Sequence, residues 1–111
     1  MSCSLTTNAV KDRTKTVTRR PFNTWRDLRP GDRLTLIEKG MGLPKGTKQV
    51  VLAEVEVVDV RVEVLHAMSD DEPAKEGFPE LDVYEFAKMW MREVGRFDVH
   101  PLVRRIEWRY L

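Results

Sequence analysis

The fold turns on residues 51–64, VLAEVEVVDVRVEV, in which apolar and charged residues alternate and then change phase. Val51, Ala53, Val55 and Val57 are odd-numbered and alternate with Glu54 and Glu56, whereas Val58, Val60, Val62 and Val64 are even-numbered and alternate with Asp59, Arg61 and Glu63. Side chains on a strand repeat every two residues, so one face stays buried across that flip only if an extra residue is inserted as a bulge or the strand bends sharply. Long bent strands are how small closed sheets turn their corners. The reading predicts a β-bulge or an interruption at Val57–Val58.

Outward from this strand, Arg29-Pro30-Gly31-Asp32 carries Pro and Gly at the two central positions of a type II turn, which launches a strand over 33–38. Residues 39–47 hold three glycines and a proline and read as a mobile loop. Toward the N-terminus, residues 6–13 fit a short helix capped by Thr6 or Thr7, and the Thr/Val-rich stretch 14–20 reads as a strand stopping at Pro21. Residues 66–80 are a polar stretch. Val83, Phe86, Ala87, Trp90 and Val94 then form one helical stripe, with Asp82 and Glu85 placed as a capping box and Gly95 as the stop. Residues 102–110 read as a final strand. Strands outnumber helices and no βαβ rhythm is present, so the expectation is an α+β, mainly β chain: a mostly antiparallel β-barrel with flanking α-helices, as one domain over residues 1–111.

The 33% charged and 41% apolar composition excludes a disordered or collagenous chain. No apolar run approaches the roughly 20 residues of a membrane span, and the first residues lack the basic flank and apolar core of a secretory signal. Cys3 is the single cysteine, and His66 and His100 have no partners at ligand spacing, so neither a disulfide nor a metal site is expected. The expectation is a cytoplasmic protein without membrane contact or cofactor. The net charge of +1 hides a strong asymmetry. Residues 1–33 hold eight Lys/Arg against three Asp/Glu, residues 34–95 hold seven against thirteen, and residues 96–111 hold four against two. If the basic ends meet in space they form a phosphate-attracting face; otherwise they are solvated surface.

Three stretches carry candidate chemistry. In Arg13-Thr14-Lys15-Thr16-Val17-Thr18-Arg19-Arg20, Thr18 and Arg20 share one face of a strand, and Lys15 joins them only if it lies on the turn before it. An ammonium, a hydroxyl and a guanidinium meeting there would bind an anion, and a desolvated lysine would activate the threonine. An ordinary Thr-rich strand reads from the same residues. Glu76-Gly77-Phe78 is a second candidate, with Glu76 as a general acid/base or as acceptor from an amine, against a surface loop anchored by Phe78. Among the aromatics, Trp90 reads as core, while Trp25 beside Arg26 is the candidate stacking ring for a nucleobase.

The stretch from Arg13 to Arg20 resembles the GxKxxTxR signature of the ASCH domain family, of PUA-like fold. Lys15, Thr18 and Arg20 stand at the family's spacing and Arg13 replaces its leading glycine. The preceding helix, the Arg29–Asp32 turn, Glu76-Gly77-Phe78, the Phe86–Trp90 helix and the basic, aromatic last strand extend the likeness over nearly the whole chain, toward small stand-alone members from actinobacteria and their phages. The resemblance implies RNA or modified-nucleoside binding in a cleft between barrel and helices. It also implies, for some members, hydrolysis of N4-acetylcytidine by a lysine, a threonine and a glutamate, here Lys15, Thr18 and Glu76, and for others ribonuclease activity. Lys15, Arg19, Arg20, Trp25, Arg105 and Arg109 are the residues expected to contact nucleic acid, with Arg104 beside them on the last strand. Three readings stand: a binding module acting as a monomer, an amidohydrolase, and an interaction protein of phage or bacterial origin whose site has decayed. Arg13, which would fill or crowd the cleft, favours the first or third, and the lysine, threonine and glutamate together favour the first or second.

Overall fold

The structure, a computed structural model, describes residues 1–38, 46 and 48–111; the loop expected over 39–47 lies almost wholly outside the described residues. The element order is α1 (Thr7–Lys11), β1 (Val17–Pro21), β2 (Arg33–Ile37), β3 (Val51–Val64), α2 (Glu72–Lys75), α3 (Val83–Val94) and β4 (Leu102–Tyr110), with single 3-10 turns at Ser4–Thr6 and Leu65–Ala67. The four strands form one antiparallel sheet in the order β1-β4-β3-β2. Pro21, with no amide hydrogen to donate, ends β1 on the sheet's edge, where its loss from the ladder costs least.

The phase flip in β3 is a β-bulge. Val57 pairs with Trp108 and Asp59 with Glu107, which leaves Val58 without a partner and 41% exposed. Before the bulge Val55 and Val57 share a face with Tyr110 and Trp108; after it Val60 shares that face with Ile106. One apolar surface is thus kept through a strand of 14 residues. It packs on Cys3, Val10, Leu34 and Leu36 as one core cluster. On the opposite face Val103 packs with Leu65, Met68, Phe86, Ala87 and Trp90 of the helical layer as a second cluster.

The sheet curls into a half-barrel. Beyond β2, Ser2 pairs in parallel with Ile37, with Cys3 donating to the Ile37 carbonyl at 2.8 Å. The far edge reaches the same segment by a side chain, since Arg20 Nη2 donates to the Ser2 carbonyl at 2.7 Å. The mainly antiparallel, mainly β architecture read from the sequence is therefore present.

Three local expectations need correction. No side chain caps α1; Thr7 instead donates back to the Cys3 carbonyl at 3.3 Å, because a 3-10 turn already leads into the helix. The first strand starts at Val17 rather than at Thr14, because the Thr14 and Lys15 amides both close onto the Ala9 carbonyl at 2.9 and 3.0 Å. The polar stretch 66–80 contains a helix, α2, with Pro73 in its first turn, where a missing amide hydrogen is harmless. The capping box of α3 forms as read, with Glu85 N donating to Asp82 Oδ1 at 2.7 Å and Gly95 ending the helix.

Arg13, in the place of the signature's glycine, has φ of 65°. A left-handed backbone costs an L-residue about 1–2 kcal/mol, more than glycine's extra chain entropy of about 0.5–1 kcal/mol. Against this stands an exposed stacking contact, with the Arg13 guanidinium 5.7 Å from the Tyr110 ring. Arg13→Gly is expected to raise stability by about 0.5–1 kcal/mol, read from the urea midpoint. A loss exceeding about 1 kcal/mol would show that the stacking contact outweighs the strain.

Candidate functional site

A cavity of about 220 Å³ opens beside β1, between the N-terminal segment and α3. Cys3 and Thr6 line one wall, Phe86 and Trp90 of α3 the other, and Thr18 and Arg20 line it from β1. Lys15 and Glu76, each only 3% exposed, line it too, as does Arg19. Lys15 lies on the turn between α1 and β1, which lets it share a site with Thr18 despite a spacing that a regular strand would send to opposite faces.

Glu76 reaches Lys15 because α1 and the end of α2 touch. Gly77 has φ of 102°, and a Cβ there would meet Ala9 Cβ at 3.0 Å and Thr6 Cγ2 at 3.1 Å, so only glycine permits this approach. The Thr16 amide ties the same junction by donating to the Lys75 carbonyl at 2.9 Å. Lys15 Nζ then donates to the Glu76 carbonyl at 2.6 Å and to Oε1 of its carboxylate at 3.3 Å. The amine also stands 6.0 Å from the Trp108 ring centroid. Burial pushes the Lys15 ammonium below its usual pKa, and the Glu76 charge opposes that shift without cancelling it.

Among the described residues no hydrogen bond joins Lys15 to Thr18, whose hydroxyl lines the cavity without a partner. Arg20 Nε is buried and also lacks a partner. Thr18 and Arg20 thus reach the cavity from one strand face, with Arg20 Nε itself sealed from solvent. Cys3, which no local pattern places here, lies in the wall as a free thiol whose pKa is pushed up by burial. Arg13 does not line the cavity, so it does not crowd the site.

Two of the arginines expected to contact nucleic acid are withdrawn from solvent. Arg19 and Arg105 are each 3% exposed and point to the helical side of the sheet, not to solvent. Arg19 donates to Glu76 Oε2 at 2.9 Å, to Glu72 Oε1 at 2.8 Å and to Glu63 Oε1 at 2.9 Å. Arg105 donates to Glu72 Oε1 at 2.6 Å and to Glu107 at 2.8 Å. The bulge causes this in part: past Val58, odd residues of β3 share the face of Arg105, which puts Glu63 within reach of Arg19. Glu72, which the sequence did not single out, anchors the network. Burial acts to raise its pKa, but hydrogen bonds from Arg105 and Arg19 hold it at about 2.

The remaining cations lie elsewhere. Arg104 donates to the Phe22 and Thr24 carbonyls at 2.8 and 2.9 Å and pins the loop that carries Trp25. Trp25 itself is 38% exposed, with φ of 55°, and stands outside the cavity lining. Arg109 is exposed and pairs with Glu56 at 3.1 Å. Trp90 is core, as read, and its indole N–H donates to the Arg19 carbonyl at 3.0 Å. No cluster of potential metal ligands occurs among the described residues, and none of their helices is long and apolar enough to cross a membrane.

No family model and no curated protein matches the sequence. Two crystal structures resemble the fold. A protein from Enterococcus faecalis V583, assigned to the family model DUF984, aligns with a TM-score of 0.69 at 14% identity over 95% of this chain and 66% of its own. The ASCH domain from Lactobacillus crispatus JV V101 aligns with a TM-score of 0.62 at 13% identity over 96% of this chain and 70% of its own. The chain thus spans about two thirds of the length of these structures. The curled antiparallel half-barrel with its few helices is the PUA-like, ASCH-type fold.

Proposed function

We propose that this chain, acting as a monomeric cytoplasmic module, binds a modified nucleoside or one base of a single-stranded RNA in the cleft. The carrying observation is a small cavity lined by Thr18 and Arg20 beside the buried Lys15–Glu76 pair. A volume of about 220 Å³ lies below the roughly 300–1,000 Å³ of pockets for drug-sized ligands and suits one base with its sugar at the mouth. The Thr18 hydroxyl matches a pyrimidine carbonyl oxygen, and Phe86 and Trp90 supply an apolar wall. With Arg19 and Arg105 withdrawn into ion pairs, recognition rests on the base more than on the backbone.

The test is titration with cytidine, N4-acetylcytidine and a short single-stranded RNA at several salt concentrations. Nucleoside binding is expected to vary little with salt, while RNA affinity falls by a log–log slope of about 0.7 for each phosphate contacted. Trp25 is the exposed tryptophan of the three, Trp90 and Trp108 being 5% and 2% exposed, so quenching of its fluorescence by RNA and not by nucleoside would place it on the strand outside the cleft. Absence of binding to all three ligands at low salt would overturn the proposal.

A second reading, hydrolysis of an N4-acylcytidine, is favoured by one observation: a lysine deprived of solvent and hydrogen-bonded to a carboxylate stands in the same small cavity as an unpartnered threonine.

A further inference from the structure

Glu76 is shared between two cations, Lys15 on Oε1 and Arg19 on Oε2; both residues line the cavity, and the Arg19 side chain is the one with no exposure. The Arg19 side chain is fully sealed from solvent and is fixed from four directions, by Glu63, Glu72 and Glu76 on its guanidinium and by the Trp90 indole on its own carbonyl. We propose that Arg19 is the positioning residue of the cleft: it takes one oxygen of Glu76, turns the other toward Lys15, and offsets the negative charge that would otherwise bind the lysine's proton. This rests on the reading of the cleft as a nucleoside site in which Lys15 serves as a base.

Burial is the main influence on the charge of Lys15, and Glu76 is the neighbouring charge that most opposes it. Cys3 faces it from the N-terminal segment, but burial pushes that thiol up and keeps it uncharged at neutral pH. Arg20 faces it from β1 and disfavours the ammonium; the Trp108 ring faces it from β4, and Tyr110 donates to its backbone carbonyl. A carboxylate answered by a guanidinium holds a neighbouring ammonium less firmly than a free one, so the amine is kept closer to its basic form. Arginine suits this place because it stays charged and its planar fork serves several carboxylates at once.

The experiment is an NMR titration of the Lys15 amine in the full chain. In Arg19→Gln each carboxylate keeps a cation: Glu63 has Arg61 at 3.2 Å, Glu72 has Arg105, and Glu76 has Lys15. The Lys15 pKa is expected to rise by about one to three pH units in this variant, the range a newly unshared opposite charge produces. Arg19→Lys retains a charge without the fork, so it should lose thermal stability while leaving the Lys15 titration within about half a pH unit of wild type. Should Arg19→Gln fail to fold, Arg19→Gln with Glu63→Gln removes one charge of each sign and is expected to show the same rise. An unchanged Lys15 titration in the folded variant, with stability alone reduced, would overturn the proposal. The readout is independent of ligand: a shift in a protein that binds no nucleoside upholds the pairing and retires the nucleoside reading, whereas binding without a shift retires Arg19's role.

Discussion

Glu72→Gln is expected to cost about 3–5 kcal/mol at pH 7, the penalty for breaking a buried ion pair while leaving its cations in place. Glu72 is 4% exposed and accepts from Arg105 Nε at 2.6 Å and from Arg19 Nη2 at 2.8 Å. Its loss leaves Arg105 with Glu107 and Asp59, both partly solvated, so a buried guanidinium loses its only buried anion. Against a total stability of about 5–15 kcal/mol for a domain, that is a large fraction. The pH dependence follows from the direction of the Glu72 shift. Its folded pKa of about 2 lies below the ordinary 4.5, so the stabilisation is complete above about 4.5 and disappears as pH falls through about 2. Wild type should therefore lose roughly 3 kcal/mol across that acid window through this group alone, and Glu72→Gln should lack that part of the decline. Urea unfolding at pH 7, 4.5 and 2.5 checks both statements. A variant within about 1 kcal/mol of wild type at pH 7 would show the network to be energetically idle.

What the sequence could and could not disclose divides along the range of the interaction. The bulge was legible because a change of parity within one strand is a local pattern, and burial on one face forces its resolution. The α3 capping box and stop were legible for the same reason, as were the turn at Gly31 and the need for Lys15 to lie before the strand. Two features were not. Helix α2 is one turn long, too short for an apolar stripe, and only Pro73 and Gly77 marked its ends. The fate of Arg19 and Arg105 depended on which residues of β3 and α2 would face them. That follows from the register of β1, β4 and β3 and from the contact of Gly77 with Ala9, relations between segments far apart in the chain. A run of arginines, taken locally, reads as surface. The half-barrel turned two of them inward because Glu63, Glu72 and Glu76 arrived on the same side. The same long-range placement brought Cys3 into the cleft wall, for which no local pattern exists.

Lys15→Arg is expected to abolish hydrolysis of N4-acetylcytidine, if wild type performs it, while weakening ligand binding only modestly. Under the hydrolase reading, Lys15 in its amine form would take the Thr18 proton as Oγ attacks the acyl carbon, and the carbon–nitrogen bond would then break. The proton passes from the Lys15 ammonium to the leaving N4, cytidine departs, and water cleaves the threonine ester to release acetate. In the resting site Lys15 Nζ faces Glu76 and not Thr18, so a rotation of the amine toward Thr18 on ligand entry is part of the reaction; catalytic hydrogen bonds commonly tighten only in the bound complex. An arginine would preserve the cation next to Glu76 and any contact with a ligand oxygen. It cannot take a proton, because its pKa stays above about 12. General-base assistance is worth about 10²–10⁴-fold, so the loss stands well clear of assay scatter. Thr18→Val removes the attacking oxygen at nearly constant volume and should be equally inactive, whereas a ligand held by the rest of the cavity wall would still bind. Chromatography of released cytidine, run beside a binding titration for wild type and both variants, decides the matter. No turnover by wild type would end the hydrolase reading for this substrate, and turnover surviving in Lys15→Arg would end the lysine's role as base.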